Sequence, residues 1–369
     1  MAARGFTPSR RWRGHGAFTL VEILVATAIT LAMLALFFKM LSSSTDQWKR
    51  TNDGVRTFAD ARLAFDTIIR CLSMATLNPV YDYYDANRVA LGSVTLDSQA
   101  GYNFQPDTYG RFSNLHFIAD RNILPGEPSK SRGLITPQVS GAVFFQAPLD
   151  FTGDKTVSPT SGRLNAIGFF VAKGSDALWL APNLRDKFKR DRLRLYGYLQ
   201  PTDELDIYLR KTGNLWFTTY LNKTITEKVS LPNTYILAEN VVAFVIVPDV
   251  SQVDQAQTAD GRATSYLYDS RVTWPQGKPQ PVTMHQLPPT VRVLMVVVDE
   301  ATVLRYPTVG YGTNLGPNHD INTNFSTFFD TPATYTDDLE KVTSALDKLK
   351  AGYRVFQADV RIQAAQWSE

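Results

Sequence analysis

Residues Phe18 to Phe38 read F-T-L-V-E-I-L-V-A-T-A-I-T-L-A-M-L-A-L-F-F, an apolar run of 21 residues broken by one carboxylate, Glu22. At about 1.5 Å per residue, a helix of that length spans a hydrocarbon core of roughly 30 Å. Upstream lie Arg4, Arg10, Arg11 and Arg13, with no acid before Phe18; Lys39, Lys49 and Arg50 follow the run. Arginines ahead of the span predict a cytoplasmic N-terminus and an exported remainder, the topology of a single-pass membrane protein. Glu22 is costly in such a segment when ionised, and no Lys or Arg shares its helix face within reach. It either sits at the membrane interface or meets a cation from elsewhere. A cleaved signal peptide is the alternative reading. Its apolar region is expected to be about 7–15 residues long and followed by an A-x-A-like site, and none follows here.

The stretch G-A-F-T-L-V-E (Gly16–Glu22) followed by an unbroken apolar helix resembles the type IV prepilin signature of pilins and type II secretion pseudopilins. The resemblance implies cleavage by a prepilin peptidase between Ala17 and Phe18, N-methylation of Phe18, and roles for Thr19 and Glu22 in subunit assembly. Ala17 stands where the family usually has Gly; a cut after Gly16 restores Gly but moves Glu22 one position further from the new terminus. Cleavage converts the Phe18 amide to an ammonium. At an effective dielectric near 20, that ammonium and the Glu22 carboxylate of a neighbouring subunit, about 4 Å apart, attract by roughly 4 kcal/mol before desolvation is subtracted. The partners implied are the peptidase, other pilin or pseudopilin subunits, the inner membrane and the assembly platform.

Beyond the apolar run, the helix is expected to continue in water to about Met74. Val55, Phe58, Phe65, Ile69 and Leu72 form a stripe at three- and four-residue steps, interrupted by Arg62. Gly54 invites a break or bend, and Asn78-Pro79 ends the pattern. From Tyr81 the texture changes to short β-type runs between Gly, Pro, Asn and Asp turns. Strands are expected at 114–119, 141–146, 166–172, 193–199, 205–209, 241–247, 265–268 and 291–298. Val291–Asp299, V-R-V-L-M-V-V-V-D, reads as a central strand buried on both faces. Leu339, Val342, Leu346 and Leu349 mark a helix near 337–350, and alternating Phe356, Ala358, Val360 and Ile362 mark a strand near 353–364 tucked into the sheet. Segments 100–112 and 307–335 are expected to be long polar loops, the most mobile of the head.

The expected class is therefore α+β. A basic leader (1–17) precedes the transmembrane half (18–41) and the amphipathic half (42–76) of a helical spine, which packs on a β-rich, mainly antiparallel head (77–369). With 44% hydrophobic and 20% charged residues, the chain has the balance of one that packs a core, and 12% aromatics favour strands. The leader's four arginines account for the net charge of +3, so the rest is near neutral, which argues against nucleic acid as a partner.

His15, His116, His285 and His319 lie far apart in sequence, so no zinc motif forms. Asp320, Asn322 and Asn324 open like a calcium loop, but Phe325 and Thr331 stand where Gly and Glu are needed, which leaves a polar surface loop. Gly310, Gly312 and Gly316 miss a dinucleotide fingerprint by one residue. The basic run Arg185–Arg194 includes Asp186 and Asp191, so a solvated strand edge is expected rather than a DNA site. Cys71, the one cysteine, is expected to be buried and inert. No catalytic constellation and no cofactor motif is found.

Together these features are similar to those of the large minor subunits, called J in type II secretion and W in type IV pili. Leu237–Pro248 and Leu287–Glu300 also resemble prepilin-type proteins of Verrucomicrobia, the Verru_Chthon cassette protein C group. Lys39 stands where many pilins carry a helix-bending proline, which weakens the resemblance to a major pilin. The function expected is that of a structural subunit, perched at the tip of a short filament and not an enzyme. Rival readings are a membrane-anchored binding protein, adhesin or DNA-binding subunit, and a signal-anchored enzyme.

Overall fold

The computed structural model describes residues 19–96, 103–121, 141–153, 162–175, 180–184, 187, 190–208, 216–217, 233–249 and 265–366. An N-terminal apolar helix is followed by a mostly antiparallel β-sheet domain, an α+β chain. Contacts divide it into two units, Met1–Asn52 and Asp53–Glu369.

The first unit holds the apolar part of helix α1 (Leu20–Ser73). Within it, Leu20–Thr45 has a mean hydropathy of 2.4, and none of it is buried by the protein. Its length and composition suffice to cross a membrane. The hydroxyls of Thr27, Thr30 and Thr45 donate back to the carbonyls of Leu24, Ala26 and Leu41 at 3.0, 2.6 and 2.9 Å. These three threonines thus return their hydroxyl donors to the helix's own backbone.

In the second unit the last turns of α1 bury Ala61, Ala64, Phe65, Ile68 and Leu72. The expected stripe is shifted. Val55 is exposed, and Phe58 and Ile69 are only half-buried, because two alanines and Ile68 form the contact face. Phe65 meets Phe356 with ring centroids 5.6 Å apart. The helical run passes Gly54 without a break and ends at Ser73, whose carbonyl accepts from the Gln363 amide at 3.1 Å.

Among the described residues the strands form three antiparallel sheets. Two strands, β1 (Val80–Tyr84) and β2 (Thr108–Phe112), pair on their own and flank the short helix α2 (Leu91–Leu96) in sequence. A six-stranded sheet runs β7-β6-β5-β4-β3-β9, from Thr234–Glu239 through Asp191–Gln200, Leu164–Ser175, Ala142–Pro148 and Ile118–Asp120 to Tyr268–Asp269. A three-stranded sheet sets β10 (Thr290–Val298) between β8 (Val241–Pro248) and β11 (Tyr353–Arg361). The valines of β10 are buried on both faces, as the continuous apolar run predicts. The chain passes from β7 to β8 through Asn240 alone (φ 60°), a left-handed conformation that asparagine tolerates. Helix α3 (Glu300–Arg305) is capped by Asp299, whose carboxylate accepts from the Thr302 amide at 2.8 Å. Helix α4 (Tyr335–Lys348) buries Val342 and Leu346.

Several expected elements differ. Residues 205–209 are not a strand: Pro201 leads into single 3-10 turns at Thr202–Glu204 and Asp206–Tyr208, and Leu209 lies outside the described residues. The strand expected at 114–119 shrinks to β3 because side chains replace the ladder there. The Leu115, His116 and Phe117 amides donate to Ser113 Oγ, Gln146 Oε1 and Ser270 Oγ. Of the run expected at 265–268 only Tyr268 pairs, as the first residue of β9 (Tyr268–Asp269). The final strand is an edge, bonded to β10 alone rather than tucked in. The loop expected at 100–112 contains β2. Segment 307–335 is organised by turns, including the Leu315–Ile321 bridge and 3-10 turns at Phe325–Thr327 and Pro332–Thr334.

Candidate functional site

Thr19 and Glu22 meet at the start of α1. The Glu22 amide donates to Thr19 Oγ1 at 3.2 Å, and the Thr19 amide donates to Glu22 Oε2 at 3.4 Å. This reciprocal pair is a capping box: two of the helix's otherwise orphaned amides are satisfied by one threonine and one glutamate three residues apart. The carboxylate also sits at the positive end of the helix dipole. Glu22 Oε1 takes no part in the cap, and among the described residues no cation reaches Glu22. The T-x-x-E spacing was in the sequence to be read this way. Ala17 and Phe18, with the rest of the basic leader, lie outside the described residues.

In the head, the described part of the basic run belongs to an ion-pair network. Arg192 forks onto Glu300, with Nη2 2.8 Å from Oε1. Arg194 Nε donates to Glu239 Oε1 at 2.9 Å, and Lys173 Nζ lies 2.9 Å from Asp191 Oδ2. Glu300 also accepts from the Asn240 side-chain amide at 3.2 Å. Asp191 belongs to the run itself, but Glu239 and Glu300 come from β7 and α3, 45 and 108 residues away in sequence, so local charge counting misses them. Arg194 is buried and Arg192 nearly so, and β6 is paired on both sides, so these pairs are packing elements inside the sheet and not the solvated strand edge expected there. Lys187 and Arg190 are exposed, and Lys189 lies outside the described residues.

Histidines distant in sequence come together. His116 is fully buried, with Nε2 2.7 Å from Asp269 Oδ1. Burial pushes the Asp269 carboxyl up, but the bond and charge of His116, with the Arg271 amide and guanidinium, hold it below the usual range. His285 lies near the same group; its amide donates to the Ser270 carbonyl at 2.7 Å. Burial, then the charges of Arg271, Arg111 and His116, depress its imidazole to about 4, so it is neutral at physiological pH. His319 stands apart, in the turn before Asp320. Asn322 Oδ1 accepts from the Asn324 amide at 2.9 Å, a local turn. Among the described residues no group of three or more His, Cys, Asp or Glu side chains is arranged to hold a metal ion. Cys71 is a buried free thiol, and burial raises its pKa, partly offset by Arg70.

Compared with protein-family models, with curated proteins and with solved structures, the chain finds no match in any of the three.

Proposed function

We propose that this chain is a pilin-like structural subunit, a minor pilin or pseudopilin: cut between Ala17 and Phe18, N-methylated at Phe18, held in the inner membrane by the Leu20–Thr45 helix and drawn from there into a type IV pilus or type II secretion pseudopilus. The observation that carries the reading is an apolar helix, unburied over its whole span, whose one carboxylate stands four residues after Phe18. Unburied apolar surface on this scale needs lipid or other helices around it. Before assembly lipid covers it, and in the filament other apolar helices do.

Glu22 then has two tasks. Oε2 closes the cap with Thr19, while Oε1 remains for a neighbour's Phe18 ammonium. A subunit alone in the bilayer keeps that oxygen unpaired, so pairing favours association and fixes the stagger between neighbours. The arginine-rich leader stays cytoplasmic and the head lies in the periplasm. A head this large would crowd a helical lattice, which suits a rare position at the tip. The partners are prepilin peptidase, the other subunits and the assembly platform. Mass spectrometry of the mature protein is the test. N-methyl-Phe18 at the amino terminus is expected, whereas a retained Met1 or a cut after Phe38 would overturn the assignment.

A further inference from the structure

Among the described strands, β1 and β2 pair only with each other, and their hairpin has a core of its own. Tyr84, Ala90 and Phe112 pack there on Trp274 and Met284, apart from the main core of the head. Trp274 and Met284 belong to the segment between β9 and β10, which the hairpin clasps. Arg111 Nε donates to the Met284 carbonyl at 3.4 Å, and Nη2 donates to those of Pro281 and Val282 at 3.1 Å each. Gln280 holds the Arg111 backbone, accepting from the amide at 2.8 Å and donating to the carbonyl at 2.7 Å. Gln276 Nε2 donates to the Ala86 carbonyl at 2.9 Å. A hairpin and a segment joined over so small a core form a unit that can open while the larger core stays shut.

His285 stands where that unit meets the main core: Met284 packs in the small core and Leu287 in the large one. Its ring lies edge-on to Phe112, centroids 5.4 Å apart, and its amide donates to the Ser270 carbonyl at 2.7 Å. The residue is 6% exposed, and among the described residues its buried Nδ1 has no hydrogen-bond partner. The charged and titratable groups that act on the ring are Arg271 after β9, Arg111 of β2, His116 before β3 and Asp269 of β9. Asp269 is the one acid of the four, and it is already engaged. Its Oδ1 lies 2.7 Å from His116 Nε2 and accepts from the Arg271 amide at 2.7 Å.

A protonated imidazole carries N–H on both nitrogens, so the charged ring would bury a donor with no acceptor, near two guanidiniums. A charge in that position is driven towards water. The ring reaches water only if the segment carrying it lifts off the hairpin. Arg111, which repels the charged ring, is also the side chain that fastens the segment.

We propose that His285 is an acid-operated latch: its protonation frees the hairpin and the segment 270–286 from each other while the main core stays closed. Opening uncovers Tyr84, Phe112 and Trp274 beside Tyr81, Tyr83 and Tyr109, which are already more than half exposed, so acid is converted into apolar surface. The latch is independent of how the amino terminus is processed.

The test is hydrogen–deuterium exchange of the full-length protein in detergent micelles at pH 7 and pH 5, read by mass spectrometry and corrected for intrinsic amide rates. A ring held at about 4 when closed and titrating near 6.5 when open raises the opening constant about 20-fold between those two conditions. That rise is expected at 80–84, 108–112 and 270–286, with opening constants at pH 5 at least tenfold above those of β10. In His285→Asn the rise is expected to shrink to less than threefold. Should that variant not fold, exchange of the ring's C2 proton in the wild type reports the titration of His285 directly. Its midpoint is expected well below 6.5, and a midpoint at or above that value overturns the proposal. So do an undiminished rise in His285→Asn, opening constants equal to those of β10, or no change with pH.

Discussion

Thr19 and Glu22 hold each other across the first turn of α1, and their two functions separate by substitution. Glutamine closes a capping box as glutamate does but carries no charge. Glu22→Gln is therefore expected to leave membrane insertion and helix content intact while abolishing incorporation into filaments, read as co-purification with the other subunits. Thr19→Ala removes a cap worth about 0.5–2 kcal/mol yet keeps the charge, so incorporation should fall only partly. If both variants assemble alike, the pairing of Glu22 with a neighbour's terminus is wrong. His285 sets an acid limit of a different kind. Below its ordinary value near 6.5 the unfolded chain takes up a proton that the folded imidazole refuses until about pH 4. Stability must then rise with pH across that window, by roughly 3 kcal/mol. His285→Asn keeps a side chain that tolerates the φ of 55° at this position and removes the titration. Urea unfolding of the detergent-solubilised full chain at pH 4.5 and 6.5 should show a smaller pH difference in this variant.

Among the elements, β5 leaves no room for a side chain at Gly168. A Cβ at Gly168 would run into the ring of Phe144, which stacks on Phe217 with centroids 3.9 Å apart and planes at 5°. Gly168→Ala is expected to cost about 1–3 kcal/mol through overpacking, seen as a lower thermal midpoint. The same elements show what could be read in advance. The valine run of β10 and the alternation of β11 were legible because burial on two faces, or on one, writes itself into residue order. The hairpin of β1 and β2 was not: V-Y-D-Y-Y puts tyrosines on both faces, one set buried and one exposed, so no apolar period marks it. The strand at 241–247 was legible as an apolar run, but β7, parted from it by Asn240 alone and placed in another sheet, was not. The candidate site was legible only at α1, where Thr19 and Glu22 are three residues apart. The clasp at Arg111 draws on residues about 170 positions distant, which no local pattern connects.

At the scale of the molecule, the head closes over the end of α1. Ala61, Ala64, Phe65, Ile68 and Leu72 belong to the same core as the valines of β10. A chain beginning at Asp53 is expected to stay in solution without detergent and to unfold in one cooperative transition. A chain beginning at Thr76 loses those five buried side chains, several of them worth about 2–5 kcal/mol each, and should aggregate or unfold. Size-exclusion chromatography and circular dichroism distinguish the two, and equal behaviour would show that the helix end is dispensable. Cys71 lies in the same helix end, covered by protein and with thiolate formation suppressed. Maleimides and thiol-reactive spin labels offered to the native protein are thus expected to modify Cys71 far more slowly than a surface cysteine. A single new cysteine, set at any chosen surface position, becomes the sole addressable reporter, and inter-copy distances can be measured without first deleting the natural sulfur.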